Sequence, residues 1–167
     1  MGKAKKKIEK KKLQAQTKSG SATVARNRKA GFDFFLGKEI IAGVVLTGPE
    51  VKSVRLGNVQ MKGSYAKIID GEMWLLNCNI SEYTHSKYVA HQVDRAKKLL
   101  LNRYEIERLE LELKKSNLTI VASKVFFVRN HAKVLLHLGE GKKKADKRDT
   151  LRKRQQNMDI QRAIKDY

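Results

Sequence analysis

Short apolar runs, separated by glycine, asparagine and aspartate, restrict the fold of this chain more than any other feature of its sequence. These runs are rich in valine, isoleucine, leucine and aromatic residues, and they occupy residues 40–46, 65–69, 73–76, 118–128 and 134–138. Runs of this length and composition are typical of β-strands. The sequence therefore predicts a mainly β fold with accessory helices.

Two predicted turns connect neighbouring runs as hairpins. Asp70 and Gly71 lie between the second and third runs, and both residues tolerate the positive φ angles of a two-residue turn. Residues 129–133 form the second predicted connection. Five or so short strands joined in this way favour a closed or nearly closed antiparallel barrel, because closure removes exposed strand edges.

Two segments have helical patterns. Residues 50–56 follow Pro49, whose missing amide hydrogen is tolerated in the first turn of a helix. Residues 102–115 form a longer predicted helix that Asn102 caps. Its apolar residues recur at spacings of three and four, at Ile106, Leu109 and Leu113. We expect this apolar stripe to pack on the barrel.

Positive charge is concentrated at the two ends of the chain, whose formal net charge is +20. Residues 1–30 carry 11 Lys and Arg with one acidic residue, Glu9, and residues 139–167 carry 10 basic and 5 acidic residues. A charge of this size favours a polyanionic partner such as a nucleic acid. The alternative is a basic surface that only keeps the protein soluble.

The 167 residues are enough for one domain with a tail at each end. Residues 1–20 are dense in lysine and lack the apolar content that offsets ordering entropy, so we expect them to be disordered without a partner. Residues 21–138 form the predicted RNA-binding barrel with its helices. Residues 139–167 are polar, basic and rich in helix-forming residues, and we expect this tail to become helical on binding.

Several classes of protein are excluded by what the sequence contains. Cys78 is the only cysteine, so neither an intramolecular disulfide nor a thiolate metal cluster can form. The longest apolar runs are too short to span a membrane, and no apolar segment follows the N-terminal lysines. We therefore expect a cytoplasmic protein that does not bind membranes.

The histidines do not indicate catalysis. They are His85, His91, His131 and His137, and they show no metal-binding spacing. We expect His85 and His91 to lie in a loop or to stack on RNA, and His137 to face solvent from an alternate position of a strand. The sequence offers no other catalytic constellation, so we expect no enzyme activity, no metal and no cofactor.

Basic residues lie beside hydrogen-bonding or apolar residues in three clusters. Each cluster alone is compatible with a solvated surface, but their joint occurrence on a small barrel favours RNA binding. The charges can fix the register of phosphates, while Asn and Ser can reach sugar hydroxyls and base edges. The clusters consist of Asn27, Arg28 and Lys29; of Lys52, Ser53 and Arg55; and of Lys97 and Lys98, which precede Leu100 and Asn102.

Six blocks of sequence occur in the order and at the spacing of a known family. They read SATVARNRKA (residues 21–30), GPEVKSVRLGNV (48–59), SYAKI (64–68), NISEY (79–83), KKLLLN (97–102) and GEGKKKADKR (139–148). Together they closely resemble the bacterial SsrA-binding protein family, also called small protein B or SmpB. The resemblance covers the chain from about Ser21 to its end, and the EVKS and GKK…DKR blocks are its most specific parts.

The resemblance implies an oligonucleotide-binding (OB) type of barrel and a role in trans-translation. Such a protein binds the tRNA-like domain of transfer-messenger RNA (tmRNA, SsrA), supports its aminoacylation and its delivery with elongation factor Tu, and rescues stalled ribosomes. Its C-terminal tail becomes a helix in the empty mRNA channel and so reports that the message has ended. We expect a monomer. The alternative is a ribosomal or ribosome-assembly protein that uses the same barrel to bind ribosomal RNA.

The resemblance also implies roles for individual residues. It places Asn27, Lys52, Ser53, Arg55, Leu100 and Asn102 on the face that binds tmRNA, where we also expect Arg28, Lys29, Lys97 and Lys98. It places Gly141, Lys142, Lys143, Asp146, Lys147 and Arg148 at the ribosomal decoding centre, and we expect Lys144, Arg152, Lys153 and Arg154 to contact phosphates of the channel. This chain has Ala145 where the family has an aromatic residue or histidine, and Ile41 where glutamate is common.

Overall fold

The structure is a computed structural model that describes residues 23–83 and 92–165. The expectations for residues 1–20, His85 and His91 therefore lie outside the described residues. The described elements, in chain order, are β1 (Thr23–Arg26), α1 (Ala30–Asp33), β2 (Phe34–Val44), α2 (Gly48–Arg55), β3 (Val59–Gln60), β4 (Tyr65–Ile69), β5 (Glu72–Leu76), β6 (Asn79–Ile80), β7 (Lys97–Leu100), α3 (Arg103–Lys115), β8 (Leu118–Val128), β9 (His131–Gly141) and α4 (Lys144–Lys165).

Most of the described strands belong to one antiparallel sheet. Its order is β1-β8-β4-β5-β7-β2-β9, and β8 pairs in addition with β9. The β8–β9 ladder is the longest in the sheet, since it runs from Leu118 opposite Glu140 to Val128 opposite His131. The short strands β3 and β6 pair separately with each other. The prediction of a mainly β fold with several helices is confirmed.

Both predicted hairpins are present. Asp70 (φ 52°) and Gly71 (φ 73°) form the turn between β4 and β5, as predicted. The second turn contains only Arg129 (φ 47°) and Asn130 (φ 65°), so the predicted connection is too long. Its remaining residues, 131–133, belong to β9, because they pair with the end of β8. The start of β9 is largely polar and half-exposed. Its composition therefore resembles that of a loop, and the sequence pattern does not indicate a strand there.

The strands extend beyond the apolar runs that predicted them. β4 and β8 have the predicted bounds, but β2 begins at Phe34 and β9 continues to Gly141. These two extensions pair with each other, with Phe34 opposite Gly141 and Leu36 opposite Gly139. Backbone pairing continues there although most of the side chains are polar or exposed. The last strand of the sheet therefore includes the first three residues of the predicted tail.

The two predicted helices are present, with starts that differ by one or two residues. The amide of Thr47 donates to Glu50 Oε2 (2.7 Å) at the start of α2. The amide of Asn102 donates to Glu105 Oε2 (3.0 Å) at the start of α3. These bonds satisfy backbone donors that a helix start leaves free. In α3, Leu109 belongs to the hydrophobic core and Leu113 packs against it, so the predicted apolar stripe faces the sheet.

The hydrophobic core lies between the inner face of the sheet and the helices α2 and α3. Met73 and Leu75 of β5, Leu99 of β7 and Leu136 of β9 are at most 2% exposed. Burying a side chain of this size contributes about 1.5–3 kcal/mol to the free energy of unfolding. Buried and more exposed positions alternate along β5 and β7, whereas residues 120–122 of β8 and 134–139 of β9 are buried on both faces.

The C-terminal helix α4 spans 22 residues, from Lys144 to Lys165. Its apolar side chains are exposed: Leu151 by 52%, Ile160 by 57% and Ile164 by 70%. The prediction that the tail becomes helical on binding stays a prediction. Among the described helices, α4 included, none is both long and apolar enough to cross a membrane.

Candidate nucleic-acid interface

The exposed side of α2 carries two cations that lie over aromatic rings. Lys52 Nζ is 5.3 Å from the ring centroid of Tyr83, and Arg55 Cζ is 5.8 Å from that of Phe127. Such contacts orient a long cationic side chain while its charge stays accessible. Lys52 and Arg55 lie three residues apart on one face of the helix, so both can reach the same polyanion. We call this pair the α2 surface.

Ser53 does not belong to the α2 surface. Its side chain is fully buried, beside the core residue Val54. The helical period places residues 52 and 55 outward and residues 53 and 54 inward. The prediction that Ser53 contacts RNA is therefore corrected, because a buried hydroxyl cannot reach a sugar or a base edge in this conformation.

Lys97 is also buried, and its predicted RNA contact is corrected. Its Nζ donates to the carbonyl oxygens of Cys78 (2.7 Å) and Arg95 (2.9 Å) and lies 3.4 Å from that of Val93. Burial lowers the pKa of Lys97, although the nearby Cys78 and Glu50 favour its charged form. The ammonium group thus ties Cys78, just before β6, to the segment before β7. It is not available to a phosphate.

A buried ion pair fixes the start of α2 relative to β7. Glu50 is fully buried, and Arg95 donates from Nε to Glu50 Oε1 (2.7 Å). Burial raises the pKa of Glu50, but hydrogen bonds from Arg95 and from the Thr47 amide outweigh it, so the pKa lies below its ordinary value. Arg95 also donates to the carbonyl of Val45 (3.3 Å). This pair was not predicted from the sequence, although Glu50 three residues after Thr47 is a capping-box signal.

The outward residues of β7 and the start of α3 form a second surface. Lys98 is half-exposed and pairs with Glu72, Leu100 is 55% exposed, and Asn102 is exposed at the start of α3. Leu100 lies opposite Gly43 of β2, where a Cβ would come within 3.3 Å of Leu100 Cβ. We call Lys98, Leu100 and Asn102 the β7 surface. It presents one cation, one apolar side chain and one amide.

The α2 and β7 surfaces are held together by the connection between β2 and α2. The amide of Val45 donates to the carbonyl of Lys98 (2.9 Å). The Glu50–Arg95 ion pair joins the start of α2 to the segment before β7. Ile41 lies on the same face of β2 as Gly43, two residues before it, and is half-buried. An aliphatic side chain there offers the β7 surface an apolar neighbour rather than a hydrogen-bonding group.

The cluster around Asn27 lies elsewhere. Asn27 is 8% exposed, and its Nδ2 donates to the carbonyl of Ala122 (3.0 Å). Its Oδ1 accepts from the amides of Lys29 and Ala30, both at 3.2 Å. The predicted RNA contact of Asn27 is corrected, because its polar atoms are already used to join the start of α1 to β8. Arg28 and Lys29 are exposed beside it.

The predicted ribosome-binding residues surround the junction of β9 and α4. Lys142 and Lys147 contact α1, and Asp146 Oδ2 accepts from the amide of Lys143 (2.9 Å), which closes the first turn of α4. Gly141 is the last residue of β9. The other predicted residues are exposed at Lys143, Lys144, Arg148 and Arg152, while Lys153 and Arg154 lie within α4. Lys29 lies near this junction, since its Nζ is 3.7 Å from Asp33 Oδ2.

The rest of the described chain offers no metal site. In residues 23–83 and 92–165, no three His, Cys, Asp or Glu side chains are grouped in a way that could hold an ion. His137, predicted to face solvent, is 7% exposed, and its Nε2 lies 3.1 Å from Ser123 Oγ. That prediction was wrong, because His137 lies within residues 134–139 of β9, which are all buried, and its ring contacts Ser123 of the neighbouring strand β8.

Comparison with known proteins identifies relatives over most of the chain. The family model described as SmpB protein matches residues 24–166. The SsrA-binding protein of Streptococcus agalactiae serotype III (strain NEM316) is 44% identical over 144 residues, which cover 86% of this chain and 93% of that protein. The SsrA-binding protein of Trichormus variabilis (strain ATCC 29413 / PCC 7937) is 43% identical over 145 residues, covering 86% and 94% of the two chains.

A solved structure agrees with this match. It is described as "tmRNA-SmpB: a journey to the center of the bacterial ribosome", and its matched chain is 41% identical with a TM-score of 0.62. The alignment covers 74% of this chain and 87% of the other. Sequence and structure therefore lead to the same relatives, and the chain belongs to the SmpB protein family.

Proposed function

We propose that this chain binds the tRNA-like domain of tmRNA and delivers that RNA to stalled ribosomes for trans-translation and ribosome rescue. The observation that carries the proposal is the pair of outward surfaces, α2 and β7, on a member of the SmpB family. These surfaces combine cations, rings, an apolar side chain and an amide. Such a mixture suits a folded RNA, whose phosphates, sugars and exposed bases are recognised together.

The RNA-binding body is a closed antiparallel barrel of the OB type. The additional pairing of β8 with β9 supports this assignment, because it leads from the last strand of the order back to its second strand. Closure leaves β1 as the strand outside the ring, and it removes edges that would otherwise pair with other chains. The α2 and β7 surfaces then lie on a rigid scaffold, which keeps their spacing fixed.

On this scaffold Lys52, Arg55 and Lys98 contact phosphates, and Leu100 and Asn102 contact sugars or base edges. Arg55 is suited to bidentate contact with a phosphate because its guanidinium is planar and already oriented by Phe127. Glu50 and Lys97 are buried beneath these residues and support them by fixing α2 and β7 relative to each other. Neither of the two touches the RNA.

The tail acts on the ribosome after tmRNA is bound. The exposed bases of α4 suit a channel walled by phosphates, and the segment from Gly141 to Arg148 engages the decoding centre. A vacant mRNA channel admits the helix, whereas a channel that holds mRNA excludes it. Binding in the channel stabilises the distal turns of α4, which bury little apolar surface in the protein alone.

The same proposal includes the partners and the cellular setting. The chain works as a monomer in the cytoplasm, with elongation factor Tu in the delivery complex. It acts by binding and has no catalytic step, which agrees with an RNA-binding family. It needs neither a metal nor another cofactor.

Copurification tests the proposed function. The affinity-tagged chain should enrich tmRNA over ribosomal RNA when RNA from the eluate is quantified against the input. A variant with Arg55→Ala should lose most of this enrichment, and one with Lys115→Ala, which changes an exposed lysine at the far end of α3, should keep it. Stoichiometric recovery with all ribosomes, without tmRNA enrichment, would instead indicate a ribosomal or ribosome-assembly protein.

A further inference from the structure

Three adjacent strands of the sheet place a tryptophan between two lysines. Lys67 of β4 lies directly opposite Trp74 of β5, and Trp74 lies directly opposite Lys98 of β7. Residues that lie directly opposite each other in neighbouring antiparallel strands point to the same side of the sheet. The three side chains therefore form one row across the strands, which we call the Trp74 row.

The burial of the neighbouring residues shows on which side of the sheet this row lies. Met73 and Leu75, which precede and follow Trp74, are 0% and 1% exposed and belong to the hydrophobic core. Because successive residues of a strand point to opposite faces, Trp74 points away from the core. Lys67 is exposed, and both Trp74 and Lys98 are partly exposed. The Trp74 row is therefore on the outer face.

The side chains beside the Trp74 row extend this mixed surface. Tyr65 lies two positions before Lys67 and therefore on the same face, where it is opposite Leu76. It adds a second, partly exposed ring. Glu72 of β5 also faces outward, but it forms an ion pair with Lys98, so its charge is neutralised. The outer face thus presents two rings, two lysines and one paired carboxylate.

A ring between two cations suits a single-stranded nucleic acid. Bases of any identity can stack on an aromatic ring, while lysines contact the phosphates. Neighbouring strands are about 4.8 Å apart, so the backbones of Lys67 and Lys98 are roughly 10 Å apart. Their ammonium groups can reach the phosphates on either side of a nucleotide stacked on Trp74. A duplex offers no such contact, because its bases are already stacked and paired.

The Trp74 row is continuous with the β7 surface, since Lys98 belongs to both. We propose that the row binds unpaired nucleotides of the tRNA-like domain, with a base stacked on Trp74 and phosphates on Lys67 and Lys98. The inference rests on the proposed function for the identity of the RNA. It adds the class of nucleotide that is bound, and it extends the RNA interface across β5 to β4.

The fluorescence of Trp74 tests the proposal without any substitution, because Trp74 is the only tryptophan of the chain. The full chain is titrated with the tRNA-like domain, with an oligouridylate of about ten nucleotides and with a blunt RNA duplex. Anisotropy of the labelled RNAs measures binding independently. The tRNA-like domain and the oligouridylate should quench Trp74 and protect it from acrylamide, whereas the duplex should do neither.

Two results of these titrations would overturn the proposal. One is binding of the tRNA-like domain that leaves both the fluorescence of Trp74 and its accessibility to acrylamide unchanged. The other is protection by the duplex equal to that by the oligouridylate, because the row would then not select unpaired nucleotides.

Substitutions separate stacking from a purely structural role of the ring. Trp74→Leu should weaken the affinity for the tRNA-like domain about tenfold, the effect of one lost base stack, whereas Trp74→Phe keeps a ring and should stay within about threefold. Circular dichroism and urea denaturation check that both variants fold. Equal affinities of a folded Trp74→Leu variant and the intact chain would overturn the proposal.

Lys67→Gln gives a test that leaves the ring in place. Because one phosphate contact is lost, the slope of log affinity against log salt should fall by about one. Lys62→Gln, which changes an exposed lysine before β4 and outside the row, is the matched control and should keep the slope of the intact chain. The same slope for Lys67→Gln and Lys62→Gln would remove Lys67 from the interface and overturn the proposed row.

The two probes also distinguish this inference from the proposed function. If the tRNA-like domain binds without affecting Trp74, the proposed function stands and the inference fails. If the intact chain does not bind the tRNA-like domain, the proposed function fails, and the oligouridylate decides the role of the row. Quenching and protection by the oligouridylate would then support binding of unpaired nucleotides, and their absence would overturn it.

Discussion

At the scale of residues, neighbouring positions with similar chemistry have opposite roles because the strand period separates them. Lys97 and Leu99 face the core, whereas Lys98 and Leu100 face outward. The same separation occurs in α2, where Arg55 is exposed while Ser53 and Glu50 are fully buried. Residues proposed to contact RNA thus alternate with residues that hold them in place, and we expect the two kinds to respond differently to substitution.

Arg55→Ala should weaken tmRNA binding about tenfold, since a charge-assisted contact contributes roughly 1.5 kcal/mol. Arg55 is exposed and lies over the ring of Phe127 at the surface, so the fold should persist. Fluorescence anisotropy with a labelled tRNA-like domain measures the affinity, and circular dichroism checks the fold. Lys115→Ala serves as the charge-matched control. An unchanged affinity would remove Arg55 from the interface.

Glu50→Gln should lower the free energy of unfolding by roughly 2–4 kcal/mol at neutral pH, because it removes one charge of a buried ion pair. The folded-state pKa of Glu50 lies below its ordinary value of 4.5. The carboxylate therefore stabilises the fold above pH 4.5, and this contribution is lost as the pH falls through the folded-state pKa.

Urea denaturation of both chains between pH 7 and pH 3 measures this difference in unfolding free energy. The difference should shrink below about pH 4.5, in line with the depressed folded-state pKa. Glu39→Gln, which changes an exposed glutamate of β2, should match the unsubstituted chain throughout. A difference for Glu50→Gln that stays constant over the whole range would contradict the role of the ionised carboxylate.

At the scale of elements, the sequence predicts those whose pattern is strong and misses those that depend on pairing partners. β4, β8 and α3 have clear apolar periods, and their bounds were predicted to within one residue. β3 and β6 contain two residues each, which is too short for an apolar period to be recognised in the sequence. β7 begins with a pair of lysines, which resembles a cluster of surface charges. Leu99 lies two residues after Lys97 and therefore on the same face of the strand, which is a signal that Lys97 is buried.

The candidate interface was predictable to a similar degree. The exposed cations of α2 and the start of α3 follow from helical geometry, since α2 and α3 are where the sequence places them. The internal roles of Asn27 and Lys97 depend on contacts with residues that are distant in sequence or outside their own element. No local pattern contains those contacts. The division of the basic residues between an RNA surface and a tail junction therefore required the folded structure.

Ala145→His should give tagging equal to or better than that of the unsubstituted chain. Ala145 is exposed in the first turn of α4, where family members usually have a ring, and stacking of a ring on a base contributes about 1–3 kcal/mol. Ala145→Ser, which adds no ring, should leave tagging unchanged. A reconstituted tagging assay compares the three chains. Lower tagging with histidine would show that the helix start has no room for a ring at the decoding centre.

At the scale of the whole molecule, the net charge of +20 is the dominant property, and it should make RNA binding strongly dependent on salt. If about six phosphates are neutralised, the affinity for the tRNA-like domain should fall by roughly 10³ between 50 and 200 mM salt, because condensed counterions are released. Replacing both Lys52 and Arg55 with glutamine should reduce the slope of log affinity against log salt by about two. An affinity that hardly changes with salt would contradict this electrostatic account.

We propose that the body binds tmRNA and that the tail acts on the ribosome. The structure defines where the chain can be cut to separate the two functions. β9 continues to Gly141, and the amide of Lys142 bonds to Asp33, so a chain that ends after Lys143 keeps the whole sheet and loses only α4. The α2 and β7 surfaces, which we propose bind tmRNA, both precede this point. The removed helix exposes its apolar residues and contributes little to the core.

A reconstituted tagging assay on stalled ribosomes, with the chain truncated after Lys143, measures whether the tail is needed for tagging. The truncated chain should fold, bind tmRNA with nearly the affinity of the full chain and fail to tag, because no helix enters the mRNA channel. Ribosomes saturated with the truncated complex should still show no tagging. Normal tagging by the truncated chain would contradict the account, since the tail would then be only a solvated basic extension.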